Sequence, residues 1–146
     1  MPMAYTENQS LIFLPVLALV ALTLVAFVRL AAGRMAAMKG GQDPAYYRAR
    51  LGGSEPEAAA TGARHWGNLF ELPTLFYAGC LSAFVLGGVT GWTLAFAWGY
   101  VAARVAQSLV HMTYNHVGHR AGAFLVGVVF IFALWANVAV SIIVNV

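Results

Sequence analysis

Residues 121–146 read AGAFLVGVVFIFALWANVAVSIIVNV, a run with no charged side chain. The hydrocarbon core of a bilayer is about 30 Å thick and an α-helix rises about 1.5 Å per residue, so roughly 20 apolar residues cross it. This run is long enough. Three further stretches meet the same requirement: about Trp92 to Tyr114, with one base, Arg104; about Asn68 to Val89, with one acid, Glu71; and Leu11 to about Ala32, uncharged as far as Arg29. An open sheet in lipid leaves backbone groups without partners, and the alternation of a transmembrane barrel is missing. The pattern predicts an all-α integral membrane protein, a four-helix transmembrane bundle in one domain over 1–146. Apart from the stretch 33–67 the connections are short, so successive helices pack as antiparallel neighbours.

Composition agrees. Of 146 residues, 61% are hydrophobic and only 9% charged, against about 25% charged in an ordinary soluble domain. Apolar content this high drives burial and excludes disorder. One cysteine excludes a disulfide framework or a Cys-cluster metal site. A net charge of +3, scattered along the chain, is no footprint for nucleic acid.

The charges orient the spans. Met1–Ser10 has no Lys or Arg and contains Glu7, so the positive region of a cleaved leader is absent and the first span reads as a retained helix. Arg34, Lys39, Arg48, Arg50 and Arg64 lie in 33–67, and Arg120 lies between the third and fourth spans. The positive-inside rule predicts both termini outside and both basic connections in the cytoplasm. Asp43–Pro44 has the form of a helix start, predicting a short interfacial helix over Pro44–Leu51. Pro15 and Pro73, inside apolar spans, predict a bend or a loosened first turn.

Ionisable groups within a membrane cost roughly 2.5–3.5 kcal/mol on insertion scales and face protein or a wet cavity. Here they fall in helical register. Arg64, Asn68 and Glu71 are spaced i, i+4, i+7, and Arg104, Gln107 or Ser108, and His111 repeat that spacing in the third span. With Arg29 and Arg120 they aim a mainly cationic, donor-rich layer at the cytoplasmic end. Simpler roles stand beside this one. Glu71 and Arg104 form a structural ion pair fixing helix register; Arg29 and Arg64 snorkel to the interface; His111 is a hydrogen-bonded packing residue; Asn137 joins two helices. Cys80, in apolar surroundings, reads as inert. His111, His116 and His119 form only a weak metal or haem pattern, since at most two can share a helical face and no Cys or acid is near in sequence.

The run Arg64–His65–Trp66–Gly67–Asn68–Leu69–Phe70–Glu71–Leu72–Pro73, an RxxxNxxE track followed by Pro, resembles the signature of the MAPEG family, the membrane-associated proteins in eicosanoid and glutathione metabolism. The similarity extends to Val28–Arg29–Leu30, to the track beginning Arg104–Val105–Ala106, and to Arg120. It spans all four apolar stretches, and the Asn-Leu-Phe-Glu-Leu-Pro variant resembles the bacterial branch. The resemblance implies a homotrimer in a bacterial inner membrane, surrounded by lipid. Glutathione would be the cosubstrate, held between neighbouring subunits near the cytoplasmic face, with no metal. Arg29, Arg64, Asn68, Glu71, Gln107, His111 and Arg120 match positions that bind or orient glutathione in the family's enzymes, and Arg104 matches a structural base that pairs with Glu71.

The implied chemistry is thiol activation. A free thiol with pKa about 8.5 is only a few per cent thiolate at neutral pH. Lowering that pKa by about 2 requires roughly 2.7 kcal/mol of preferential anion stabilisation. A guanidinium on sulfur in a dry site supplies it, and Arg120 is the candidate. The thiolate would attack a lipophilic electrophile or hydroperoxide arriving from the membrane, as a transferase or peroxidase. Two positions depart from the family. His111 stands where conjugating members have a tyrosine, although Tyr114 lies three residues on, and Leu72 replaces a tyrosine contact just after the acid. They leave open a different thiol or anion, or the alternative of a non-enzymatic lipid-binding or scaffold protein or an accessory subunit of a membrane complex.

Overall fold

A computed structural model describes residues 8–49 and 54–145. The regular structure among those residues is all helical, with no strand. A 3-10 turn, Gln9–Ile12, leads into α1, Phe13–Lys39. The Asn8 side chain caps the turn by accepting from the Ser10 N–H at 3.1 Å. Pro15 sits buried in the first turn of α1, where its missing N–H would have no intrahelical partner anyway, so the loosened first turn is realised. The side-chain amide of Gln9 donates to the Val89 carbonyl at 3.2 Å and accepts from its N–H at 2.9 Å. Those two bonds tie the start of α1 to the turn between two later helices.

The sequence-based connection 33–67 is shortened from both ends. α1 continues to Lys39, about 40 Å of helix for its 27 residues, and α3, Glu57–Asn68, begins well before the expected start at Asn68. Between them α2, Ala45–Ala49, starts where Asp43 Oδ1 accepts from the Ala45 N–H at 2.8 Å. The remainder of the expected Pro44–Leu51 helix, with Arg50, lies outside the described residues. Glu57–Ala60 forms helix because alanines carry the best intrinsic propensity. The backbones of α1 and α3 approach closely, with the Gly33 and Gly62 Cβ positions 3.6 and 3.7 Å from the Ala59 and Leu30 Cα atoms.

α3 and α4, Leu72–Val85, are separated by a break at 69–71. Pro73 explains it. Proline has no N–H for the Leu69 carbonyl, and its ring clashes with that group in a continuous helix. The chain instead closes α3 with tight bonds from Leu69 N–H to Trp66 O and from Phe70 N–H to Gly67 O.

α5, Gly91–Met112, starts at a reciprocal cap between Thr90 and Thr93. The Thr93 hydroxyl donates onward to Asn137 Oδ1 at 2.6 Å, which joins α5 to α6, Val117–Asn145. α5 packs along the length of α6 and against α1; α4 packs on α6, and α1 on α3. Phe76 and Tyr100 stack in the core at 4.8 Å, beside the fully buried Leu19 and Leu134. Three helical segments among the described residues are long and apolar enough to cross a membrane: Gln9–Lys39, Glu57–Val85 and Val117–Val144. α5 is not among these, because its buried face is polar.

Candidate functional site

Arg104, Gln107, Ser108 and His111 follow the i, i+3, i+4, i+7 pattern on α5, and each is at least 95% buried. One guanidinium nitrogen of Arg104 donates to Gln107 Oε1, and another donates to the Asn68 backbone carbonyl at 2.6 Å. That carbonyl is free because the break after α3 removes its helical donor. Arg104 therefore makes no contact ion pair with Glu71, whose carboxylate acts on it only from beyond 4.0 Å. Among the described residues the ion pair within 4.0 Å is Arg34–Glu55, and Glu71 is exposed. The buried cation rests on neutral oxygens, and its Nε has no hydrogen-bond partner.

α3 offers this layer a residue that the spacing did not single out. His65 is buried, with Nε2 2.9 Å from the Ser108 hydroxyl and its ring centroid 5.0 Å from that of His111. Arg64, one position earlier, is exposed and Asn68 is half-buried. Consecutive helical residues are about 100° apart, so Arg64 and His65 cannot share a face. The signal that would have found His65 is its i+3 spacing from Gly62, the small residue at which α3 approaches the α1 backbone.

A cavity of about 830 Å³ opens between α1, α3 and the end of α5. Arg29 and His111 line it together, with His65, Thr61 and Glu57. Arg29 is anchored from Nη2 to the Met112 carbonyl at 3.3 Å. His111 is 98% buried, as only 2% is exposed, and its ring lies within hydrogen-bonding reach of the Thr61 backbone carbonyl. Arg120 stands in the first turn of α6 and donates to Asn115 Oδ1 at 2.9 Å. Tyr114 is exposed, its hydroxyl 3.0 Å from His119 Nδ1. Arg64, Asn68, Glu71, Gln107, Tyr114 and Arg120 do not line this cavity. The chain thus brings Arg29 to His111 and Arg104 to Gln107, and it turns Arg64 and Glu71 outward.

The connection beside this region is held by Arg34, whose Nε lies 3.7 Å from Glu55 Oε1 and whose guanidinium carbon lies 5.2 Å from the Tyr47 ring centroid. Burial, and then the Glu55 carboxylate, raises the Tyr47 phenol pKa. Among the described residues no group of three or more His, Cys, Asp or Glu side chains is arranged to hold a metal ion. The exposed His116 and His119 rings are a pair only, 4.5 Å apart.

The sequence profile of the MAPEG family matches residues 12–140. No curated protein and no solved structure matches the chain.

Proposed function

The chain belongs to the MAPEG family, and from that membership we propose that it is a glutathione-dependent transferase or peroxidase acting on lipophilic electrophiles or hydroperoxides. The family is one of membrane proteins, and with three long apolar segments this chain is an integral membrane protein. α5 serves as the fourth span, its polar face turned away from lipid. The reading is of a homotrimer in a bacterial inner membrane, termini outside and site toward the cytoplasm.

One observation carries the reading: a buried guanidinium, Arg104, that no carboxylate within 4.0 Å neutralises, packed beside a histidine pair and a cavity bearing Arg29. A layer of this kind favours an anionic ligand. Glutathione has two carboxylates and an amine, which suit arginine forks and an acid respectively. Arg64 and Glu71 are exposed in the single chain, on helical segments apolar enough to cross a membrane. Such groups need a polar environment, and a neighbouring subunit carrying bound glutathione supplies one.

In the transferase mode the thiol releases its proton to water. The sulfur then forms a bond to the electrophilic carbon as the leaving group departs with its electron pair. In the peroxidase mode two thiols become a disulfide while the hydroperoxide is reduced to alcohol and water. Arg120 stabilises the thiolate in both.

The test is turnover by the purified protein in detergent with glutathione and an aryl halide or a lipid hydroperoxide. Activity in the wild type and its loss in Arg120→Ala support the assignment. Equal turnover in Arg120→Ala removes Arg120 from the role. No turnover with either substrate class removes the enzyme reading and leaves a lipid-binding or accessory protein.

A further inference from the structure

We propose that Tyr114 and His119 form a proton relay that carries the thiol proton from the sulfur held by Arg120 to solvent, with His119 as the proton acceptor. The inference rests on the function proposed above and deepens it. It starts from the turn between α5 and α6. Asn115 takes the left-handed conformation there, with φ +47°, and its N–H bonds to the Val110 carbonyl at 2.8 Å. The reversal aims two consecutive side chains at two consecutive residues in the first turn of α6. Tyr114 Oη lies 3.0 Å from His119 Nδ1, and Asn115 Oδ1 accepts from Arg120 Nη1 at 2.9 Å. The phenol–imidazole pair is thus the sequence neighbour, at both of its ends, of the contact that holds Arg120.

The chemistry needs such a pair. A site dry enough for a guanidinium to stabilise the thiolate also keeps bulk water away from the S–H group. Arg120 cannot take the proton, because a guanidinium offers donors and no acceptor. His111 is only 2% exposed and its ring rests against the Thr61 carbonyl, so a proton placed there has no direct route to water. Tyr114 is 61% exposed and His119 is exposed as well. Their pair has solvent at hand and Arg120 next to it.

The His119 ring is held for acceptance. The His119 N–H points to His116 Nδ1 at 3.4 Å, and the Tyr114 and His119 rings meet edge-on at 5.7 Å. With the ring proton on Nε2, Nδ1 accepts from the Tyr114 hydroxyl. The transfer then balances. The S–H bond breaks and leaves its electron pair on sulfur. The proton joins Tyr114 Oη as the Tyr114 O–H proton passes to His119 Nδ1, and the imidazolium releases its Nε2 proton to water.

Arg120 and the relay divide the work: Arg120 sets how much thiolate forms at equilibrium, and the relay sets how fast. Stopped-flow ultraviolet absorption of the thiolate, on mixing the protein in detergent with glutathione, reads both. The wild type should give a thiolate signal, and Arg120→Ala should reduce its amplitude. His119→Ala and Tyr114→Phe should keep the amplitude and slow the rate by about a hundredfold, the low end of what a positioned base contributes. Added imidazole should restore the rate in His119→Ala and leave the wild type unchanged. Both positions are exposed, and circular dichroism checks that the variants keep the fold. No thiolate signal in the wild type overturns the glutathione reading and the relay with it. A wild-type signal with unchanged rates in both variants overturns the relay alone. Amplitude and rate lost together in His119→Ala, with no response to imidazole, also overturns it, because a contact that merely holds the turn behaves that way.

Discussion

The Arg104 guanidinium donates to the Asn68 backbone carbonyl at 2.6 Å, from the middle of one helix to the last residue of another. A proline five residues downstream makes that bond possible. Pro73 breaks the helix at 69–71, the break strips Asn68 of the N–H that a continuous helix would supply, and a buried arginine fills the gap. No acid contacts this cation within 4.0 Å, and the Glu71 carboxylate acts on it only from farther away.

Replacing Arg104 with Met should lower stability by about 1–3 kcal/mol, since the Asn68 carbonyl and the Gln107 amide both lose a donor in a buried setting. Arg104→Lys should recover part of this, because a point-charge ammonium can meet one acceptor well but lacks the planar fork that meets two. Denaturation in mixed micelles, followed by circular dichroism, reads both changes. Stability equal to wild type in Arg104→Met would show that the bond to Asn68 contributes nothing.

Pro73→Ala supplies the complementary test. Restoring residues 69–72 to helix gives the Asn68 carbonyl the Leu72 N–H as donor, so the cost of Arg104→Met should shrink in the Pro73→Ala background. Residues sharing a partner show coupling of about 0.5–3 kcal/mol in double-mutant cycles. Additive effects would separate the break from the arginine.

The same break explains what could and could not be read from the sequence. The apolar runs that became α1, α4 and α6 were legible, because their length and lack of charge leave little alternative to a span. The α5 stripe was legible too, since Arg104, Gln107 or Ser108, and His111 lie on one unbroken helix and the 3.6-residue period holds across them. On α3 and α4 the period does not hold. Arg64, Asn68 and Glu71 are regular in spacing, but the interruption at 69–71 resets the helical phase before Glu71, which faces outward with no ion pair to Arg104. His65 was hidden by its neighbour: choosing Arg64 as the functional face rotates the helix by about 100° from the face that is buried. The early start of α3 was hidden by composition. Glu57–Asn68 mixes Ala, Gly and charged residues, so it lacks the hydrophobic excess by which the other spans are found.

Ser108→Ala should cost about 1–3 kcal/mol by leaving a buried His65 ring nitrogen unpartnered. Adding His65→Phe should restore much of the loss, since an apolar ring of similar shape needs no partner. Thermal unfolding of the single and double variants measures the difference. A double variant as unstable as the sum of the singles would mean that His65 is held by something other than Ser108.

Asn115 offers a test of orientation with little effect on folding. Its φ of +47° lies in the left-handed region, which glycine adopts without a Cβ penalty. Its side chain holds Arg120 at 2.9 Å. Asn115→Gly removes that contact and keeps the backbone, so the melting temperature should change little while Arg120 loses its anchor. If Arg120 stabilises the thiolate, turnover with glutathione and an aryl halide should fall by up to about tenfold, because misplacing a group near the reacting atoms is costly even when it is still present. Asn115→Ala removes the same contact but strains the backbone by roughly 1 kcal/mol, so it should lose activity and stability together. Retained activity in Asn115→Gly, at unchanged stability, would mean that Arg120 reaches the sulfur without guidance from Asn115.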